Sequence, residues 1–111
     1  MHYSFLVQEP YRSLILSGQK TVEGRLNKGK FAQLKIWDHL KFEDTSEEME
    51  VINLTSYPTF QSMLENEWLK HVLPWIQDIQ EGVALYYQFY TPVQESEFGV
   101  LAIEIKILFS K

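Results

Sequence analysis

The chain passes from a predicted helix into a predicted strand through the stretch Gly18-Gln19-Lys20-Thr21-Val22-Glu23-Gly24-Arg25. Before it, Tyr11, Leu14 and Ile15 recur at the spacing of one helix face. Gly18 fits the end of that helix, because a left-handed backbone carries no Cβ penalty for glycine. Residues 21–23 favour a strand. The stretch therefore predicts a short helix that delivers Lys20 to the start of a strand.

Three ionisable side chains of this stretch suit a binding site. Glu23 and Arg25 share a face if they lie in a strand, and Lys20 joins them if it occupies the preceding turn. Arg offers a planar fork of donors to a phosphate, a carboxylate or a base edge. Glu accepts from an exocyclic amine or acts as a general base, and a buried Lys with a lowered pKa carries protons. The same charges also suit a structural salt bridge, and both interpretations stay open.

The other predicted elements give an α+β order: one strand, one helix, three or four strands, several short helices and a last strand. Residues 33–37 and 50–57 alternate apolar and polar, which favours half-buried strands. We expect polar loops at residues 45–48 and 91–97, and a helix at residues 84–90. Residues 99–108 predict a central strand, because few of them are polar. This order predicts a curved mixed sheet or a small β-barrel with short helices at its rim.

Composition restricts the class of protein. The 111 residues suit one domain, 1–111, and the hydrophobic content of 45% argues against disorder. The sequence has no cysteine, no signal-peptide pattern and no apolar stretch of the ~20 residues that span a bilayer. We therefore expect a cytoplasmic protein with no membrane partner.

Charge is unevenly distributed along the chain. The net charge is -5, but residues 12–41 hold seven of the ten Lys and Arg residues and two of the fifteen Asp and Glu residues. The acidic remainder opposes binding to double-stranded DNA. The basic segment can receive one anionic ligand or a short single strand, or its lysines can simply solvate strand edges.

Acidic, aromatic and histidine side chains supply further candidates. Glu95, in the segment before the last strand, suits acid–base work or ligand binding, although such acids are often only solvated. Aromatic side chains can stack on bases for about 1–3 kcal/mol each, but most are expected in the core. His2, His39 and His71 have no metal-ligand spacing. We therefore expect no metal site and no cofactor.

The pattern Gly18-x-Lys20-x-x-Glu23-x-Arg25 resembles the hallmark of ASCH domains, a branch of the PUA-like fold. The return segment, which reads Tyr90-Thr91-Pro92-Val93-Gln94-Glu95-Ser96-Glu97-Phe98-Gly99-Val100, is similar to the aromatic, acidic turn and Gly-Val strand of small stand-alone bacterial members. The two motifs occur in the right order near opposite ends, so the resemblance covers nearly the whole chain. It implies a PUA-like barrel with helices at its rim. It also implies a cleft into which Lys20, Glu23 and Arg25 project.

The resemblance implies a function in RNA metabolism. The expected ligand is RNA or a modified nucleoside, bound by Lys20, Glu23, Arg25, Tyr90 and Glu95; Tyr90 is chosen because it borders the acidic turn. Some small bacterial relatives hydrolyse the amide of N4-acetylcytidine with a Lys, a Thr nucleophile three positions later and a downstream Glu. Lys20 matches that Lys, but Glu23 occupies the nucleophile position.

Three functions therefore stay open. The first is binding of RNA or a nucleoside. The second is a hydrolase acting on an acylated nucleoside, or a ribonuclease, with Lys20 and Glu23 as candidate catalytic residues. The third is a non-catalytic protein-interaction domain. The sequence does not determine the oligomeric state.

Overall fold

The protein is an open, curved five-stranded sheet with short helices packed on it. The computed structural model describes residues 2–5, 7, 9–43 and 47–108. The strands are β1 (His2–Phe5), β2 (Val22–Leu26), β3 (His39–Phe42), β4 (Glu48–Tyr57) and β5 (Val100–Ile107). The helices are α1 (Tyr11–Leu16), α2 (Phe60–Glu67), α3 (Leu69–Val72), α4 (Ile79–Tyr86) and α5 (Pro92–Phe98), and a 3-10 helix spans Gly29–Gln33. The expected α+β class is confirmed.

The strand order is β1-β3-β4-β5-β2. β1 runs parallel to β3, and the other neighbouring strands are antiparallel. β5 pairs on both sides, as its apolar sequence predicts. In the described part of the chain β1 and β2 are edges that do not pair with each other. Of the two architectures expected, the curved mixed sheet is therefore present, and the closed β-barrel is not.

Side chains, rather than a strand ladder, connect the two edges of the sheet. Lys30 in the 3-10 helix donates a hydrogen bond to the carbonyl oxygen of Ser4 on β1. The ring of Phe31 meets the ring of Phe5 edge-on, with centroids 6.4 Å apart. The guanidinium of Arg25 on β2 lies 4.9 Å from the Phe31 centroid and 5.4 Å from the Phe5 centroid. Side chains of β1, β2 and the 3-10 helix thus fill the space between the two edges of the sheet.

β5 separates two apolar clusters because its successive side chains point to opposite faces. Leu101, Ile103 and Ile105 pack with the residues of β1, β3 and β4. Val100 and Ala102 pack against α2, α3 and α4. A strand that is buried on both faces needs the nearly continuous apolar sequence observed here.

The strand predicted at residues 33–37 is wrong. After the 3-10 helix the chain makes a turn, in which the Asp38 carboxylate accepts from the Lys35 N–H at 2.8 Å and the Asp38 N–H donates to the Lys35 carbonyl at 3.0 Å. Trp37 has a φ of 80° and is 67% exposed. The alternating residues thus form a turn in which Leu34 is buried, whereas Ile36 and Trp37 are exposed.

The polar loop predicted at residues 91–97 is also wrong, because α5 occupies it. The Thr91 side chain accepts from the Gln94 N–H, and the Gln94 side chain accepts from the Thr91 N–H. Pro92 follows at the first helical position, where its missing N–H leaves no intrahelical bond unmade. This capping box stabilises the start of a helix that polarity alone does not predict.

Two other predicted boundaries shift. The helix predicted at residues 84–90 begins at Ile79, because Asp78 caps it by accepting from the Glu81 N–H at 2.8 Å. It ends at Tyr86, and the chain then turns. Of the loop predicted at residues 45–48, residues 45 and 46 lie outside the described residues, and β4 already begins at Glu48.

Candidate functional site

The junction between α1 and β2 fixes the position of Lys20. Gly18 has a φ of 82°, so the left-handed backbone predicted at the helix end is present. The N–H groups of Gln19 and Lys20 both donate to the Leu14 carbonyl, at 3.0 and 2.9 Å. These bonds end the helix and direct the Lys20 side chain to the start of β2.

Lys20, Glu23 and Arg25 form one ion-paired group, called here the triad. Glu23 Oε1 lies 3.2 Å from Lys20 Nζ, and Glu23 Oε2 accepts from Arg25 Nε–H at 2.7 Å. The side chains are 2% exposed for Lys20, 9% for Glu23 and 19% for Arg25. The shared strand face predicted for Glu23 and Arg25 is therefore present. Arg25 is the triad member most accessible from outside.

The Lys20 ammonium has three acceptors, which matches its three protons. Its Nζ donates to the carbonyl oxygens of Val22 at 2.7 Å and Val72 at 2.6 Å, in addition to the Glu23 carboxylate. Val72 belongs to α3, so the Lys20 side chain ties that helix to β2. The geometry makes Lys20 a buried structural cation that holds Glu23 in place.

The triad contains two cations and one carboxylate, and this excess of positive charge determines its electrostatics. Burial alone would raise the pKa of Glu23, but the charges of Lys20 and Arg25 and their hydrogen bonds hold that pKa below its ordinary value. Burial lowers the pKa of Lys20 against the opposing effect of Glu23. Glu23 is therefore ionised at neutral pH, and the site attracts an anionic or electron-rich group.

A cleft of about 400 Å³ opens beside the triad. This volume lies in the range of small-molecule sites, roughly 300–1,000 Å³. The β2 edge supplies one wall. The described residues that complete the lining are Val7, Tyr11, Gly24, Leu73, Leu85, Tyr86, Phe89 and Tyr90. The cleft thus has a charged wall, formed by the triad, and an aromatic wall, formed by Tyr11, Tyr86, Phe89 and Tyr90.

The aromatic wall is held in place by Phe60 of α2. The Phe60 ring stacks on Tyr86 with centroids 4.4 Å apart and on Tyr90 with centroids 5.5 Å apart. Burial, followed by the Glu23 charge, raises the pKa of Tyr86 well above its ordinary value, so its hydroxyl stays protonated. Phe89, which is 51% exposed, is the cleft ring most open to solvent.

Gly24 allows the aromatic wall to approach β2. A Cβ at this position would lie 2.7 Å from the Tyr86 hydroxyl oxygen and 2.8 Å from Met63 Cε. A glycine inside a strand often marks such a close approach. The sequence analysis did not predict four of the lining residues, which are Gly24, Tyr11, Leu73 and Leu85. The glycine inside the predicted strand was the available sequence signal for a close approach at this position.

Of the five predicted ligand-binding residues, the structure brings four together and places Glu95 elsewhere. Lys20, Glu23, Arg25 and Tyr90 line the cleft. Glu95 belongs to α5, is 5% exposed and packs against the first turn of α2. Its carboxylate accepts from the Phe60 N–H at 2.7 Å and from the Tyr87 hydroxyl at 2.6 Å. It holds the first turn of α2, which carries Phe60, and Phe60 in turn stacks on the cleft residues Tyr86 and Tyr90.

Comparisons with known proteins agree with the fold. The family model described as the ASCH domain matches residues 6–109. The crystal structure of hypothetical protein PH0355 is similar at 40% sequence identity and a TM-score of 0.94, over 97% of this chain and 100% of that one. The solution NMR structure of protein PF0455 from Pyrococcus furiosus is similar at 37% identity and a TM-score of 0.85, over 99% and 100%. No curated protein matches the sequence.

The helices of the described residues are all too short or too polar to cross a membrane.

Proposed function

The chain belongs to the ASCH domain family, a PUA-like family often linked to RNA binding, and on that premise we propose that the cleft binds an unpaired nucleobase. The base is presented by a single-stranded RNA or by a modified nucleoside. Lys20 and Glu23 hold the Arg25 guanidinium in place, and this guanidinium contacts the ligand.

The observation that carries this proposal is the pairing of the triad with an aromatic wall in one cleft. A nucleobase has a flat π-face and an edge rich in carbonyl and ring-nitrogen acceptors. Stacking on an aromatic side chain is worth about 1–3 kcal/mol per base, and Phe89 and Tyr90 are placed to provide it. The planar donor fork of Arg25 suits the acceptors of the base edge.

Charge supports a small or single-stranded ligand. The triad adds positive charge inside the cleft, while the whole chain has a net charge of -5. A long duplex requires many phosphate contacts over an extended basic surface. One positive cleft on an acidic protein instead favours one nucleotide or a short unpaired segment, which agrees with the expectation that duplex DNA is not a partner.

The geometry of Glu23 favours binding over hydrolysis. In the N4-acetylcytidine amidohydrolases that the sequence resembles, a Thr nucleophile stands where this chain has Glu23. Both oxygens of Glu23 are engaged by cations, and its pKa is held below the ordinary value by Lys20 and Arg25 against the effect of burial. A carboxylate in that state is a poor general base at neutral pH.

The proposal is tested by isothermal titration calorimetry with cytidine, N4-acetylcytidine and a short single-stranded RNA. We expect saturable binding that Arg25→Met weakens by roughly 10- to 150-fold, because a hydrogen bond to a charged group is worth about 1.5–3 kcal/mol. Lys41→Met is the matched control, since Lys41 is an exposed cation on β3 within the same basic segment. It should change the affinity less than twofold.

Each other outcome opposes the proposal. An equal loss in both variants would show binding to general positive charge. No binding to any of the three ligands would favour a protein-interaction domain. Turnover of N4-acetylcytidine or cleavage of the RNA, followed by chromatography and abolished in Lys20→Met with the fold intact, would make the cleft catalytic. The cytoplasmic location expected from the composition stays a prediction.

A further inference from the structure

We propose that His2, His39 and Glu48 form a binding site for a divalent transition-metal ion of the zinc type, separate from the cleft. None of the three residues lines the cleft. Two imidazoles and one carboxylate are a common ligand set for zinc. The sequence led us to expect no metal, and the strand register is what brings these residues together.

Three adjacent strands contribute to the site. β1 is parallel to β3, with His2 opposite His39. β3 is antiparallel to β4, with His39 opposite Glu50 and Lys41 opposite Glu48. The His2 and His39 rings meet in a T-shaped arrangement with centroids 5.0 Å apart. Both histidines therefore stand beside the first residues of β4.

The distances between ligand atoms fit a tetrahedral ion. His2 Nδ1 lies 3.3 Å and His39 Nδ1 lies 3.4 Å from the same oxygen, Glu48 Oε1. Zinc binds nitrogen and oxygen at about 2.0–2.2 Å, so two ligand atoms of a tetrahedral zinc site lie roughly 3.3 Å apart. Two edges of the tetrahedron thus already have the required length. The candidate ligand atoms all lie within 4.8 Å of one another, so the third edge closes when the exposed His2 ring moves towards His39.

His39 provides a second, independent observation. Its Nδ1 atom is buried and has no hydrogen-bond partner among the described residues, although Glu48 Oε1 is 3.4 Å away. Its other ring nitrogen, Nε2, lies 3.8 Å from Glu50 Oε2. Histidines that bind metal commonly turn the second ring nitrogen towards a carboxylate, which fixes the ring and its tautomer. Glu50 is placed to act as that positioning residue.

The ligand types determine which ions fit. Imidazole suits zinc, copper, nickel and cobalt, whereas magnesium and calcium prefer all-oxygen sites. Three protein ligands leave a fourth position for water. A bound ion would crosslink β1 to β3 and β4, so binding should also stabilise this edge of the sheet.

The test uses protein without a histidine tag, treated with a chelator and then titrated with Zn²⁺ in a calorimeter near pH 7.5. We expect one Zn²⁺ per chain and a rise in the melting temperature. His39→Ala and Glu48→Gln should each weaken binding at least tenfold, and Glu50→Gln should weaken it by about 10- to 100-fold through ring orientation. Substituting Co²⁺ should give the intense visible bands of a tetrahedral site.

His71→Ala is the matched control. His71 is the third histidine of the chain, and its ring stacks on Trp68 rather than on the proposed site. Melting curves recorded with chelator show whether each variant folds, and Zn²⁺ should raise the melting temperature of His71→Ala but not that of His39→Ala. Absence of Zn²⁺ binding, equal affinity for Mg²⁺, or equal losses in His39→Ala and His71→Ala would overturn the proposal.

Discussion

Lys20 Nζ lies 3.2 Å from Glu23 Oε1, and both side chains are buried. Glu23 also accepts from Arg25 Nε–H at 2.7 Å, so two cations share one carboxylate. Loss of Arg25 leaves a matched buried pair, whereas loss of Glu23 leaves two like charges facing each other. The stability of the protein and the affinity of its cleft should therefore depend on different members of the triad.

Glu23→Gln should destabilise the protein strongly. Removal of one partner from a buried ion pair costs about 3–5 kcal/mol, because the remaining charge is desolvated without compensation. Urea unfolding measures the effect. Glu97→Gln, an exposed change on α5, is the control and should stay within about 0.5 kcal/mol of the wild type. A loss as small as that of the control would show that the triad does not stabilise the fold.

The contribution of Glu23 should disappear in acid. Its pKa in the folded protein lies below its ordinary value, 4.5. A depressed carboxyl pKa stabilises the fold at pH values above the ordinary pKa, and this stability is lost as the pH falls through the folded value. The difference in unfolding free energy between wild type and Glu23→Gln should therefore be constant near neutrality and shrink below about pH 4.5. A difference that does not change with pH would contradict the charge assignment.

Gly24→Ala should strain the contact between β2 and the aromatic wall. The added Cβ would lie 2.7 Å from the Tyr86 hydroxyl oxygen, and overpacking of this kind costs about 1–3 kcal/mol. Tyr86→Phe removes that oxygen, so the double variant should recover part of the loss in unfolding free energy. Strictly additive losses would mean that the Tyr86 hydroxyl is not the contact that excludes a side chain at position 24.

Glu95→Ala should reduce stability and change ligand affinity only slightly, because Glu95 does not line the cleft and acts on it through Phe60. The buried Phe60 N–H would lose its acceptor and the Tyr87 hydroxyl its partner, and an unsatisfied buried donor costs about 1–3 kcal/mol. Urea unfolding and calorimetry of the same preparation separate the two effects. A tenfold loss of affinity with unchanged stability would instead support the direct ligand contact that the sequence predicted for Glu95.

Local sequence was enough to predict the core of the site. Strand periodicity places Glu23 and Arg25 on one face, and the glycine at position 18 places Lys20 beside them. The Val72 carbonyl and the Tyr11 ring come from other elements, so their contribution depends on tertiary packing that no local pattern reveals. The three charges are therefore close together as predicted, in the salt bridge that the sequence offered as one of two interpretations. The contact with Val72 and the part of the aromatic wall beyond Tyr90 were not visible in the sequence.

The two wrong predictions of secondary structure have separate physical causes. The apolar alternation at residues 33–37 resembles a strand, but the Asp38 side chain stabilises a turn there. Polarity at residues 91–97 suggested a loop, although Thr91, Pro92 and Gln94 are the capping signals of a helix. The proposed metal ligands lie far apart in sequence, and a search for ligand spacing cannot find residues that meet only through strand register.

The central claim is that the cleft beside the triad receives a nucleobase, and an NMR titration of ¹⁵N-labelled protein with N4-acetylcytidine and a short single-stranded RNA tests it most directly. We predict saturable amide shifts at Gly24, Arg25, Phe89 and Tyr90, with β3 unaffected. Shifts confined to other surfaces, or no shifts at all with either ligand, would contradict the claim.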